Sequence, residues 1–328
     1  MKPSSIRVAA GALFLAAQFA TRATAQQSTF PSHPVKLVVA FAPGGNNDVP
    51  VRIVAARLGE LWGVPAVVDN RPGAGGSVGS DFVARAPADG YTLLNCNSAT
   101  HGVNPALNKK LPYDPVKHFS AVSLIGSAPN VLLVTSGSPL RTLREFMAQA
   151  KAKPGALAVA TAGIGSTQHF SLELMKSMSA TDIVHVPYKG GSLALADVIG
   201  GQVPAAITGL PTALQALKSG KVRALAITSG ERSKLLPDLP TFAEAGLVGY
   251  EVTTWTGLCA PAGTPRAIVD KLAEDVRSAL AAPEVRQQLL DAGVEPQATT
   301  SVWLAEHVAA EVAKYTRIAA TAGIVVEQ

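Results

Sequence analysis

The chain has 328 residues, with 28 basic and 23 acidic side chains for a formal charge of +5; 48% of its residues are hydrophobic and only 5% aromatic. That length exceeds the commonest single-domain size and suits two lobes with cores of Ala, Val, Leu and Ile. No basic face is clustered enough for nucleic acid, and two cysteines do not make the disulfide framework of a small secreted domain.

At the N-terminus, Lys2 and Arg7, the apolar residues 8–20 and the small-x-small triplet Ala23-Thr24-Ala25 read as a secretory signal cut after Ala25. The run is short for a membrane span, although Arg22, between it and the cut site, leaves an uncleaved anchor as the alternative. Removing Lys2, Arg7 and Arg22 leaves 25 basic residues against 23 acidic ones, a charge of +2. No later stretch is long and apolar enough to span a bilayer, which predicts a soluble, exported mature protein.

Two later stretches are built alike. Residues 35–41 (VKLVVAF) form a strand that enters a glycine turn, Ala42-Pro43-Gly44-Gly45-Asn46-Asn47-Asp48, and a helix follows with Val51, Val54, Leu58 and Leu61 on one face. Residues 157–161 form a second strand, which enters Ala162-Gly163-Ile164-Gly165-Ser166-Thr167 before a helix over residues 168–178. Glycine lets a ligand approach the main chain, and the free amides and dipole at a helix start favour an anion. Two such turns suggest two jaws on one small anion, although any α/β protein contains ordinary turns of this kind.

The intervening chain reads as strand 65–68, a glycine run at residues 73–76, a helix near 80–85, strand 91–95, a loop over 101–119, strands 121–125 and 130–135, and a helix near 143–151. Beyond the second turn come strand 183–186, the turn Pro187-Tyr188-Lys189-Gly190-Gly191, a helix over 193–199, and strands 204–207 and 222–228. Thr241 and Glu244 have the spacing of a capping box ahead of a short helix. A strand near 250–259 precedes Thr264-Pro265, with threonine as cap and proline first in a helix striped by Ile268, Leu272, Val276 and Leu280; a last helix spans 302–322. This alternation predicts mostly parallel sheets flanked by helices. A chain that leaves the first lobe near Pro129 and returns near Glu251 crosses twice, the hinged layout of a periplasmic binding protein.

Several catalytic and metal motifs fail on their context. Gly75-Gly76-Ser77-Val78-Gly79 satisfies G-x-S-x-G, but residues 69–73 separate Ser77 from the preceding strand, so an exported esterase using Ser77 stands as the rival reading. A dinucleotide fingerprint fails at Val78, and none of the six histidines has an i, i+4 partner. Cys96 and Cys259 lie in apolar strand-like runs and are expected as buried free thiols, neither spaced with a histidine for metal. His169, at a helix start beside Ser166 and Thr167, reads either as a donor into the cleft or as a support for the turn. Asp48 would repel an anion if it pointed inward, so it is expected to cap its helix or to accept an amine or hydroxyl.

Taken in order, APGGNND, NRPGAGGSVGS, DGYTLL, GIGSTQH, HVPYKGG, LPDLPTFAEAGL and the run from Trp255 to Pro265 resemble the substrate-binding receptors of tripartite tricarboxylate transporters, the Bug-type family, from about Pro34 to the C-terminus. The resemblance implies an α/β, two-lobed class II periplasmic binding fold, with two crossover strands as hinge. Its expected divisions are a signal at 1–25, a discontinuous lobe of 26–128 plus 252–328, and a second lobe of 129–251. It further implies a monomeric periplasmic receptor, without catalytic residues, metal or cofactor, that captures a small carboxylate and delivers it to the transporter's membrane subunits. An orphan receptor with a sensing role is the third reading. Carried over, the ligand-binding residues are Phe41, Pro43, Gly44, Gly45, Asn46, Asn47 and Asp48 from the first turn, and Gly163, Gly165, Ser166, Thr167 and His169 from the second, with Thr208. The chain departs from the family pattern at Asn47, where threonine or serine is usual, and at Pro204 and Thr208, where acidic residues are common. Losing those acids argues against a ligand bearing a charged amine.

Overall fold

The computed structural model describes residues 30–324, and the compact unit treated below begins at His33. The expected signal sequence and its expected cut site lie outside the described residues. Among the described residues no helix is long and apolar enough to cross a membrane.

The chain opens with β1 (Val35–Val39) and α1 (Asp48–Trp62). Val51, Val54 and Leu58 of α1 are fully buried, while Leu61, expected on the same stripe, is 42% exposed. Next come β2 (Ala66–Asn70), a 3-10 turn (Ala74–Gly76), α2 (Ser77–Ala84) and β3 (Thr92–Asn97). The expected loop over 101–119 instead begins in a π-helical turn (Ala99–Val103) and the single turn α3 (Asn104–Leu107). β4 (Phe119–Thr135) is one strand of 17 residues where two were expected. It is followed by α4 (Leu143–Ala152), which starts in a capping box between Thr142 and Glu145.

The middle of the chain contains β5 (Ala158–Thr161), α5 (Thr167–Ser179), β6 (Val184–Pro187), α6 (Gly191–Ile199), β7 (Ala205–Gly209), α7 (Leu210–Lys218) and β8 (Val222–Ile227). β9 (Thr253–Pro261), α8 (Arg266–Ala281), α9 (Pro283–Asp291), β10 (Glu295–Pro296) and α10 (Ser301–Ala322) complete it. α7 and α9 escape a periodicity reading because both are short and carry proline, which is tolerated in the first helical turn. Thr241 and Glu244 do exchange capping-box hydrogen bonds, at 2.9 and 3.1 Å, but a run of turns follows instead of a helix. Thr264 is not the cap of α8: its hydroxyl donates to Pro261 O at 2.8 Å, and Pro265 holds the cap position.

Hydrogen bonding orders the strands β2-β1-β3-β9-β4-β7-β5-β6, with β8 and β10 each also on β4. The pairs reached by βα crossovers are parallel, namely β1 with β2 and β3, and β5 with β6 and β7. Every pairing of β4 or β9 is antiparallel, so the sheet is mixed, not mostly parallel as expected. β4 changes partner in mid-course: residues 119–129 lie on β9, and residues 130–135 lie on β7 and β8. That switch joins two strand sets through one continuous backbone.

The expectation of free thiols is overturned, for Cys96 and Cys259 form a disulfide with a Cα–Cα distance of 5.8 Å. The pairing of β3 with β9 sets Cys96 opposite Gly257 and Leu94 opposite Cys259, making the cysteines near neighbours across the ladder. Their 163-residue separation hides that adjacency from local pattern reading.

Candidate functional site

In the first turn the backbone between β1 and α1 is held by Asp48, which is 1% exposed. Its carboxylate accepts from the Gly44 amide, Arg52 Nε and Asn70 Nδ2, each at 2.8 Å, while Asn70 Nδ2 also donates to Phe41 O at 3.0 Å. Burial alone would raise the Asp48 carboxyl, but the bonds from Arg52, the Gly44 amide and Asn70, with the Arg52 charge, outweigh it and hold the group below the usual carboxylate range. Asp48 therefore ties up its own turn as an ionised acceptor and does not line the cleft.

The second turn is closed by Ser166 and His169. Ser166 Oγ accepts from His169 N at 3.1 Å and donates to Gly163 O at 2.7 Å, capping α5. His169 Nδ1 accepts from the Gly165 amide at 3.2 Å, and its ring stacks on His185 at 4.2 Å. Burial, then the nearby Lys176 charge, lowers His169 to about 4, so the ring is neutral and able to accept. The amides of Gly44 and Gly165, two of the expected ligand-binding residues, are thus engaged inside their own turns. The amides of Asn46, Asn47, Thr167 and Gln168 have no acceptor among the described residues, as befits the start of a helix.

Between the turns lies a cavity of about 520 Å³. Of the residues expected to bind ligand, Phe41, Asn46, Asn47, Gly165, Ser166, Thr167 and Thr208 line it. Pro43, Gly44, Gly45, Asp48, Gly163 and His169 are not among its lining residues. Thr208 Oγ1 is buried without a hydrogen-bond partner. Gln168, missed in the sequence, also faces the cavity and donates to Asn130 Oδ1 at 2.8 Å. Asn97, Ser98, Asn104 and Thr254 were missed as well, because isolated polar residues at the ends of strands and the start of a short helix carry no motif. Ala74, Gly75 and Ser77 sit in a run whose hydrolase-like spacing drew attention away from its position at a helix start.

No Asp, Glu, Lys, Arg or His occurs among the described lining residues. Instead, residues at the N-terminal ends of α1, α2, α5, α6 and α7 reach the cavity wall: Asn47, Ser77, Thr167, Gly191 and Gly209. Each helix start presents about half a positive charge and contributes roughly 0.3–1 kcal/mol to a nearby anion, more where water is excluded. The wall is therefore positive in potential and neutral in formal charge. It offers no carboxylate, thiolate or imidazole to a metal. Ser77 begins α2 after the 3-10 turn, separated from β2 by Arg71, Pro72 and Gly73, so the strand-to-helix elbow of a serine hydrolase is missing.

A mixed α/β sheet with helix starts gathered on one polar cavity defines the class of periplasmic binding proteins, and solved relatives share that fold. Residues 51–324 match the model of the tripartite tricarboxylate transporter family receptor, and the chain belongs to that family of binding receptors, which are not enzymes. BugT of Bordetella pertussis is 36% identical over 296 residues, which cover 90% of this chain and 91% of the relative. Rpa4515 of R. palustris, solved with adipate, is 38% identical with a TM-score of 0.80, covering 90% of this chain and 99% of that one. MatC from Rhodopseudomonas palustris, with bound malate, is 38% identical with a TM-score of 0.75, covering 88% and 99%.

Proposed function

We propose that the chain is a periplasmic solute receptor that captures a small dicarboxylate in the cavity between its two glycine turns and delivers it to the membrane subunits of a tripartite transporter. The observation that carries this reading is a cavity of about 520 Å³ with five helix starts on its wall and no charged side chain. Adipate and malate in two relatives support the ligand class. On this reading residues 26–128 plus 252–328 form one lobe and 129–251 the other, β4 and β9 act as the hinge, and export follows cleavage after Ala25. The protein acts as a monomer. Asn46, Asn47, Thr167 and Gln168 supply main-chain donors, Thr208 supplies a hydroxyl, and Gly44, Asp48, Gly163 and His169 hold the turns.

A thermal-shift panel of mono-, di- and tricarboxylates, with amino acids and sugars as controls, tests the reading. A ligand confined to the folded protein stabilises it by roughly 2.7 kcal/mol at a hundredfold excess over Kd. At least one dicarboxylate is expected to raise Tm by several degrees, and its dimethyl ester, which lacks the charge the helix starts attract, is expected to leave Tm unchanged. A sugar that outperforms every acid, or an ester equal to its acid, overturns the reading.

A further inference from the structure

Cys96 on β3, Cys259 on β9 and His101 in the π-helical turn form a cluster that the cavity does not use. Their sulfurs and a His101 ring nitrogen all lie within 4.8 Å of one another, and the three residues are 0, 1 and 0% exposed. His101 Nδ1 lies 3.0 Å from Thr100 Oγ1, and the ring's tautomer sets which of the two donates. Nε2 is buried without a hydrogen-bond partner. The rings of Phe119 and Tyr113, at 4.9 and 6.1 Å, enclose the imidazole. An orphaned buried nitrogen is rare in a native fold, and π-turns concentrate at functional sites.

We propose that, once the Cys96–Cys259 bond is reduced, the two thiolates and His101 Nε2 hold one Cu(I) ion in a three-coordinate site of two sulfurs and one nitrogen. The reductant is a dithiol. When local opening exposes the bridge, one of the dithiol's thiolates attacks a bridge sulfur, the S–S bond breaks, and the second dithiol sulfur resolves the mixed disulfide. The dithiol leaves as a disulfide, its two electrons and two protons ending on Cys96 and Cys259. Cu(I) then displaces those protons without changing its oxidation state. Thiolate and imidazole donors suit this soft ion, whereas structural Zn(II) wants four ligands, and the adjacent Thr100 hydroxyl is already shared between His101 and Asn97.

The test is an anaerobic titration of the purified full chain, with and without prior dithiol reduction, using Cu(I) supplied as a weak complex. The reduced protein is expected to retain one equivalent through desalting and to show ultraviolet thiolate-to-copper absorption; the oxidised protein is expected to retain none. His101→Gln and the apolar, cavity-filling His101→Phe, each verified as folded by circular dichroism, are expected to weaken binding beyond the roughly 10–100-fold typical of losing a supporting residue. His185→Gln is expected to bind as the parent does. Absence of copper from the reduced parent, parental affinity in either folded His101 variant, or tighter binding of Zn(II) than of Cu(I) overturns the proposal.

Discussion

Gly79 lies in α2 where that helix meets the end of β1, and an added Cβ would stand 2.8 Å from Ala40 Cβ and 2.9 Å from Arg71 O. Neither neighbour is the far end of a flexible side chain, so the backbones themselves must part. Gly79→Ala is expected to cost about 1–3 kcal/mol as overpacking, read as a fall of several degrees in Tm. Gly45 provides the contrast. Its nearest contact to an added Cβ is Ala42 O at 3.6 Å and its backbone is not left-handed, so Gly45→Ala is expected to leave Tm within about a degree of the parent. A Gly45→Ala protein as destabilised as Gly79→Ala would show that this account of the two positions is wrong. In the sequence all the motif glycines look alike, because what separates them is the approach of another segment. Asn70 was illegible for the same reason: its amide reaches Phe41 O and Asp48 across 29 and 22 residues, and nothing in NRPG announces that contact.

At the scale of elements, the start of α5 joins ligand-facing amides to a titratable support. His169 and His185 stack, both lowered to about 4, His169 by burial and then Lys176, and His185 by burial, then by His169 and Lys176 against the opposing pull of Glu173. An unfolded histidine titrates near 6.5. Between 6.5 and 4 the unfolded chain binds protons that the folded chain refuses, so these groups leave stability intact above pH 6.5 and withdraw it as pH falls toward 4. For His169 alone the loss between pH 7.5 and 4.5 is on the order of 2 kcal/mol. Protonation at Nδ1 also removes the acceptor for the Gly165 amide. His169→Gln is expected to flatten the urea midpoint against pH over this window, and an unchanged acid slope would remove His169 from the account. The sequence made α5 and its glycine turn legible, since a cap, a glycine pair and a 3.6-residue stripe are local signals. It left His169 open between cleft donor and support. The ring's stacking partner is 16 positions away on β6, and only the pairing of β5 with β6 brings it near.

At the scale of the molecule, much of the order of strands and helices was readable because βα units announce themselves, and β4 changes partner between Pro129 and Asn130. The return of β9 between β3 and β4 was not readable as an antiparallel insertion, and the disulfide depends on it. The bridge closes a loop of 163 residues that contains β4 to β8 entire. In the chain-entropy account, closing so long a loop restrains the unfolded chain by roughly 5 kcal/mol, an upper figure because real denatured chains are already compact. The effect lies in the unfolded state, so the folded packing survives reduction: both sulfurs sit in a buried cluster with Leu94, Phe119 and Trp255. The double variant Cys96→Ala/Cys259→Ala is therefore expected to fold, to keep the parental circular dichroism spectrum, and to unfold in urea with a stability lower by about 3–5 kcal/mol. The parent measured with excess dithiol should match the variant's midpoint, since opening the bridge and deleting it release the same loop. An oxidised parent no more stable than the variant would show that the bridge contributes nothing to the fold, and a reduced parent well above the variant would place the loss in packing at the two sulfurs.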